Sequence, residues 1–286
     1  MEVLCVGGTG TVGCLVVRGL VDRGANVRCM TRSEGAGGPT ADGATLVHGD
    51  LEDPSTLGAA FDGVDRIHLL TPLHPDETGL GRAAVDAAVA AGVDRIVFHS
   101  VHNVEAAPHV PHFASKIAIM DEILASDIPW VAIEPNNYFQ NDLMLREPIM
   151  EMQIYPAPIG EIGLTRVDVR DIADATVNAL LDEGHEGNRY PIVGPQTLTG
   201  EDVVDTWGDA LDGTVIYTGD DLEMWEDGVR AMLPGWMVDD LRSMFAHFLE
   251  NGLVASEEDY ATMSHVLDHA PRTFADFVSE TVAAWS

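Results

Sequence analysis

The chain has 286 residues, 46% of them hydrophobic, with 47 acidic against 15 basic side chains and a formal net charge of −32. That apolar fraction supports a folded core rather than a disordered acidic tail, and with no basic stripe to neutralise phosphates it argues against a nucleic-acid partner. Lysine is nearly absent: Lys116 stands alone beside fourteen arginines.

Acidity spread along the whole length with so little lysine suits a cytosol of molar salt, where the screening length falls to roughly 3 Å. The expected result is a thermal midpoint that climbs steadily between about 0.1 and 2 M KCl as self-repulsion is screened. A midpoint flat across that range, followed by circular dichroism, would argue against salt adaptation. No apolar run reaches the ~18 residues that span a bilayer. The opening residues enter a strand at once, without a signal-peptide pattern, so the expected compartment is the cytoplasm. Cys5, Cys14 and Cys29 lack metal or redox spacing and read as small buried hydrophobes in a reducing compartment.

In chain order, residues 2–6 read as a strand. Gly7-Gly8-Thr9-Gly10-Thr11-Val12-Gly13 follows, and then an apolar helix that Gly24 closes. Glycines at 8, 10 and 13 meet the GxGxxG spacing between a strand and a helix. There backbone amides can approach a pyrophosphate and the helix N-terminus supplies partial positive charge. The second strand, 25–30, runs into Thr31-Arg32-Ser33. An arginine at this strand end accommodates the 2′-phosphate of NADP(H), which is the favoured cofactor; Glu34, two residues on, could instead serve a ribose hydroxyl and keeps NAD(H) open.

Alternation of strand and helix continues. Strand 45–48 ends at Gly49-Asp50-Leu51, a helix begins near Pro54, and strand 65–70 ends at Thr71-Pro72. An alanine-rich helix, 82–91, stops at Gly92; strand 95–100 ends on Ser100. Pro111-His112-Phe113-Ala114-Ser115-Lys116 opens a helix that continues over 116–125, placing His112 and Lys116 one turn apart on one face. Strand 130–134 completes a doubly wound parallel sheet, an α/β fold whose ligands lie at the carboxyl ends of the strands. The glycine loop, Asp50, Thr71, Ser100 and residues 135–141, with Asn137, Tyr138 and Phe139 among them, then line one crevice. Residues 1–195 are expected to form the dinucleotide-binding domain and 196–286 a smaller, mainly helical substrate region, with 151–164 contributing to the substrate side.

These motifs resemble the NmrA-like group of the atypical short-chain dehydrogenase/reductase superfamily. The likeness rests on the glycine loop, Gly49-Asp50-Leu51, Pro111 to Lys116, and Glu134-Pro135-Asn136-Asn137-Tyr138-Phe139-Gln140-Asn141, together with Val167 to Ala173 and the closing Pro271 to Val278. The resemblance implies NAD(P)H binding, adenine contacts from Asp50 and Leu51, and a substrate region after the sheet. Reductases of the superfamily carry a serine, then a tyrosine about a dozen residues on and a lysine four beyond it; here those slots fall on Ser100, His112 and Lys116. Histidine at the tyrosine slot departs from the pattern and puts epimerase or dehydratase chemistry in doubt.

The resemblance covers reductases of quinones and similar apolar acceptors, and also members that sense the NADPH/NADP ratio without catalysis; a His-Phe-x-x-Lys segment occurs in both. On the reductase reading Lys116 bonds the nicotinamide ribose and His112 donates a proton as hydride arrives. The plain alternative for His112 is a helix-start residue bonding its own backbone, and for Ser100 a strand-end cap. His99, His102, His109 and His112 do not form a metal site on this reading, since no carboxylate or cysteine completes a ligand set. Leu73 to Asp76 and Tyr138-Phe139 are expected as pocket walls. Trp207, Trp225, Met232, Trp236, Met237, Met244 and Phe245 fall at helical spacings and are expected mostly in a core, some as a roof.

Overall fold

The computed structural model describes residues 1–33 and 42–285; Glu34, the alternative ribose contact, lies outside them. Seven strands form one sheet in the order β3-β2-β1-β4-β5-β6-β8, and every neighbouring pair is parallel. They are β1 (Glu2–Val6), β2 (Asn26–Thr31), β3 (Thr45–His48), β4 (Arg66–Leu69), β5 (Arg95–His99), β6 (Trp130–Pro135) and β8 (Asn188–Ile192). The doubly wound α/β sheet expected from the sequence is therefore present, with one strand more than the sequence suggested.

Alternation along β1 shows why the sheet is covered on both sides. Val3 and Cys5 enter a core with α1 (Thr11–Asp22) and α5 (Val169–Leu181), while Leu4 and Val6 enter another beneath α2 (Leu57–Phe61), α3 (Glu77–Ala91) and α4 (Pro111–Ala125). Near-continuous apolar runs are what a parallel sheet buried on both faces demands. The added strand, β8, escapes notice because Asn188, Arg189 and Pro191 spoil its composition. As the edge strand it pairs with β6 alone, so the missing proline N–H costs no ladder bond on its open side.

Packing between α3 and α4 sets up the site. A β-carbon added to Gly81 would lie 2.4 Å from Ile119 Cγ1, so only glycine allows the two helices this approach. One turn away, Glu77 at the start of α3 then faces Lys116 on the inner side of α4. Asp76 caps α3 by accepting from Gly79 N–H at 3.2 Å, which starts the helix five residues earlier than its alanine run suggests.

A third core joins the loops above the sheet to the C-terminal helices. Of these, α6 (Gly200–Leu211), α8 (Gly235–Asn251) and α10 (Phe274–Trp285) supply the third core, while α7 (Leu222–Val229) packs on α8 and α9 (Glu257–Met263) on β8. A two-stranded parallel ribbon, β7 (Ile154–Tyr155) with β9 (Ile216–Tyr217), accompanies them. Packing crosses residue 195 both ways: Met263, Val266 and Leu267 sit in the sheet's core, while Val110 and Phe113 sit in the third. Its polar centre is Arg166, fully buried, paired with Asp142 at 2.6 Å and bonded to Tyr138 O at 2.8 Å. Asp142 also accepts from Tyr155 OH at 2.7 Å and Trp207 Nε1 at 3.3 Å.

Candidate active site

At the end of β1 the chain turns into α1 through the glycine loop. A β-carbon on Gly13 would stand 2.1 Å from Gly7 O, so the helix can seat against the loop only without one. Gly10 differs, because its nearest neighbour would be 3.5 Å away and nothing within the protein demands glycine there. Thr9, Gly10 and Thr11 are exposed, whereas Gly8, Val12 and Gly13 are buried. No side chain caps α1, and its first turn carries no acid. The result is an exposed helix start whose first-turn amides meet no side-chain cap, the chemistry that receives a pyrophosphate.

On the neighbouring strand, the chain leaves β2 in a turn. The Arg32 side chain is 78% exposed and, among the described residues, stands 3.9 Å from Glu52 Oε2. His74 lies 3.6 Å from the same Glu52. Asp50 accepts from Glu52 N–H at 3.0 Å, and Leu51 is buried in the core beneath α2.

At the ends of β4, β5 and β6 lies a cavity of about 370 Å³. Lys116 enters it from α4, 6% exposed, and its Nζ donates to Thr71 Oγ1 at 2.8 Å and pairs with Glu77 Oε1 at 2.8 Å. Thr71 donates in turn to Glu77 Oε1 at 2.6 Å, closing a buried triangle over the Phe98 ring. Pro72, beside it, is exposed. Ser100 lines the same space with a buried hydroxyl that has no hydrogen-bond partner among the described residues. His112 lines the opposite wall, and Asp240 of α8 accepts from its Nδ1 at 2.6 Å. The sequence-derived trio of Ser100, His112 and Lys116 thus shares one cavity.

The residues after β6 divide. Asn137 lines the cavity, with its carboxamide oxygen accepting from Arg166 Nε at 3.1 Å. Tyr138 lines it too, and its hydroxyl meets His99 Nε2 at 2.7 Å. Burial, with help from the Lys116 charge, pushes His68 down to about 4 and His99 well below its ordinary range, so both rings are neutral at pH 7. Burial pushes the Tyr138 phenol up, keeping it protonated. Phe139 does not join them. It is turned into the third core against Phe274 and Phe277, with ring centroids 5.1 and 5.7 Å away.

The roof is apolar and comes from the C-terminal part: Leu241, Met244 and Phe248 of α8, with Leu253 after it. Of the aromatic and methionine residues singled out in that region, Met244 lines the cavity, Trp207 is fully buried against Trp285, and Met232 is exposed. Of the expected walls in Leu73 to Asp76, Leu73 lines the cavity, while His74, Pro75 and Asp76 do not. Sequence reading missed Glu77 and Asp240, the partners of both ionisable residues in the trio. Glu77 carried a usable signal, an acid directly after a capping Asp76; Asp240 carried none, in a chain with 47 acids.

With this geometry in hand, comparison with known proteins places the chain. The model of the NmrA-like family matches residues 1–278. The chain belongs to the NmrA-like family. Within the wider set, this NmrA-like chain is 33% identical over 294 residues to the NAD(P)H azoreductase of Xenophilus azovorans, covering 99% of each. Among solved structures, it is similar to the NADPH-dependent quinone oxidoreductase QOR2 of Escherichia coli complexed with NADPH (TM-score 0.86, 21% identity, 99% of this chain and 100% of that one). It is also similar to the triphenylmethane reductase of a Citrobacter species (TM-score 0.83, 19% identity, 98% of this chain and 99% of that one). At those identities the structural matches speak for the fold. Among the described residues, no helix of this NmrA-like protein is long and apolar enough to cross a membrane.

Proposed function

We propose that this NmrA-like protein is an NAD(P)H-dependent reductase that passes hydride to a small apolar acceptor of the quinone kind. The observation that carries the reading is the cavity itself. One ammonium, two imidazoles (His99 and His112) and one buried hydroxyl with no partner among the described residues converge under an apolar roof at the ends of β4, β5 and β6, on the same carboxyl-end side of the sheet as an uncapped glycine loop. The azoreductase relative, alike over 99% of both chains, supports nicotinamide chemistry.

The residues present fit such a cofactor. Gly10 leaves room where a pyrophosphate would approach, the α1 amides and dipole would hold it, and Arg32 would meet a 2′-phosphate. When bound, a reduced nicotinamide supplies the hydride. Lys116, pinned by Glu77 and Thr71, keeps one donor to offer a ribose hydroxyl. Ser100 orients the polar atom of the acceptor. His112 supplies the proton that must follow the hydride, and the leucine, methionine and phenylalanine roof excludes water.

NADPH consumption by the purified protein in molar KCl, measured against a panel of quinones and azo compounds, tests the reading. Turnover with at least one flat apolar acceptor is expected. No oxidation with any acceptor, joined to a change in protease sensitivity or self-association on dinucleotide binding, would overturn it in favour of a non-catalytic redox sensor.

Cofactor choice follows from Arg32. NADPH is expected to bind more tightly than NADH, and Arg32→Ala to erase most of the gap. A charge-assisted contact of this type is worth about 1.5–3 kcal/mol, roughly ten- to a hundredfold. Equal affinities in the unaltered protein, by fluorescence titration, would remove Arg32 from this role.

A further inference from the structure

We propose that Asp240 is the positioning residue of His112, fixing the imidazole so that Nε2 is the nitrogen offered to the acceptor; this rests on the reductase reading. Asp240 sits in α8, the helix that also supplies Leu241, Met244 and Phe248 to the roof. It is 4% exposed, and its Oδ1 stands 2.6 Å from His112 Nδ1. An ionised carboxylate only accepts, so Nδ1 carries the hydrogen and Nε2 is left toward the cavity that His112 lines. The contact joins residues 128 positions apart, so the helix that roofs the cavity also orients the group beneath it.

Asp240 completes a proton-donating pair. Hydride leaves the reduced dinucleotide for the acceptor, and the dinucleotide departs oxidised. The O–H bond on the acceptor forms as the Nε2–H bond of the doubly protonated ring breaks, leaving a neutral ring with its Nδ1 hydrogen on Asp240. Solvent then returns one proton to Nε2, for which the 13% exposure of the His112 side chain gives a route. A buried carboxylate offsets the charge that the ring holds before transfer.

A plainer role must be separated from this one. The same Oδ1 lies 3.4 Å from His112 N–H at the start of α4, where Val110 offers no side-chain cap, so Asp240 also serves as a helix cap supplied from afar. Asp240→Asn keeps the volume and a capping oxygen while removing the charge. Its carboxamide can donate as well as accept, so it no longer dictates which ring nitrogen bears hydrogen. Nitrogen-15 NMR of histidine-labelled protein, recorded at a pH high enough that the ring is neutral and with the His112 signals assigned by His112→Gln, is expected to show the Nδ1–H form in the natural chain, the form left after proton transfer. In Asp240→Asn the Nε2–H form should appear, with kcat on a quinone reduced about ten- to a hundredfold and the KM for NADPH within about twofold.

A cap alone would leave tautomer and kcat untouched, and that result overturns the proposal, as does an Nε2–H ring in the natural protein. Should the natural protein reduce no acceptor, the reductase reading fails by itself. The tautomer measurement then still decides whether Asp240 governs the ring.

Discussion

Replacing Lys116 by arginine is expected to lower turnover by at least about 10²-fold, the scale of losing positioned acid–base support. Its Nζ occupies a slot bounded by Glu77 Oε1 and Thr71 Oγ1, each at 2.8 Å, with the Phe98 ring 5.5 Å below. A guanidinium keeps the charge, but it is a wide planar fork that this slot does not admit, and it would be pushed toward the space a ribose needs. His112→Ala should cost less, because water can stand in for a proton donor more readily than for a positioning cation. The buried pair complicates any simpler deletion. Lys116→Met strands Glu77, 1% exposed, as an uncompensated charge, at a cost of about 3–5 kcal/mol. Pairing it with Glu77→Gln should restore stability but not turnover, a cycle that separates holding the fold from holding the ligand. Undiminished activity in Lys116→Arg would show that the lone lysine is retained for packing alone.

The second large effect is on stability. Arg166→Met is expected to cost about 3–5 kcal/mol, read from urea unfolding, because it leaves the fully buried Asp142 without its charge partner. Tyr155 OH and Trp207 Nε1 would still donate to that carboxylate, at 2.7 and 3.3 Å, but neither neutralises it. The loss should extend to the site, since Arg166 also donates to Tyr138 O and to Asn137 Oδ1. Dinucleotide affinity should therefore fall with stability. Replacing both members, as Arg166→Met with Asp142→Leu, should recover much of the stability, since a buried pair costs desolvation on both sides. A loss below about 1 kcal/mol for Arg166→Met would mean the pair contributes little.

What the sequence disclosed follows from how local each signal is. The glycine loop, the strand ends and the one-turn spacing of His112 and Lys116 are short-range patterns, and they located Ser100, His112 and Lys116 in one cavity. Asp240 escaped because its meaning lies in a pairing between distant segments, whereas Glu77 had a local mark beside Asp76 and only its partner, Lys116 on another helix, was hidden. A single acid among 47 carries no mark of its partner. Phe139 escaped for a different reason. Tyr138 and Phe139 are neighbours in the chain, but a short 3₁₀ segment begins at Phe139 and turns the second ring away from the cavity that the first one lines. β8 was masked by its proline, which an edge strand tolerates and a central one would not.

The buried triangle around Lys116 has a consequence for the chemistry of the whole surface. Arginine is the only permanent side-chain cation the described exterior presents, because the one lysine is 6% exposed and held by Glu77. Acylating esters, aldehydes and lysine-directed conjugation therefore have a single side-chain address in this chain, and it lies inside the crevice. Modification there reports on the crevice rather than on the surface, and a molecule seated against Lys116 shields the address. A tether or label meant to leave the crevice alone can be attached through carboxylates, of which the exterior has many.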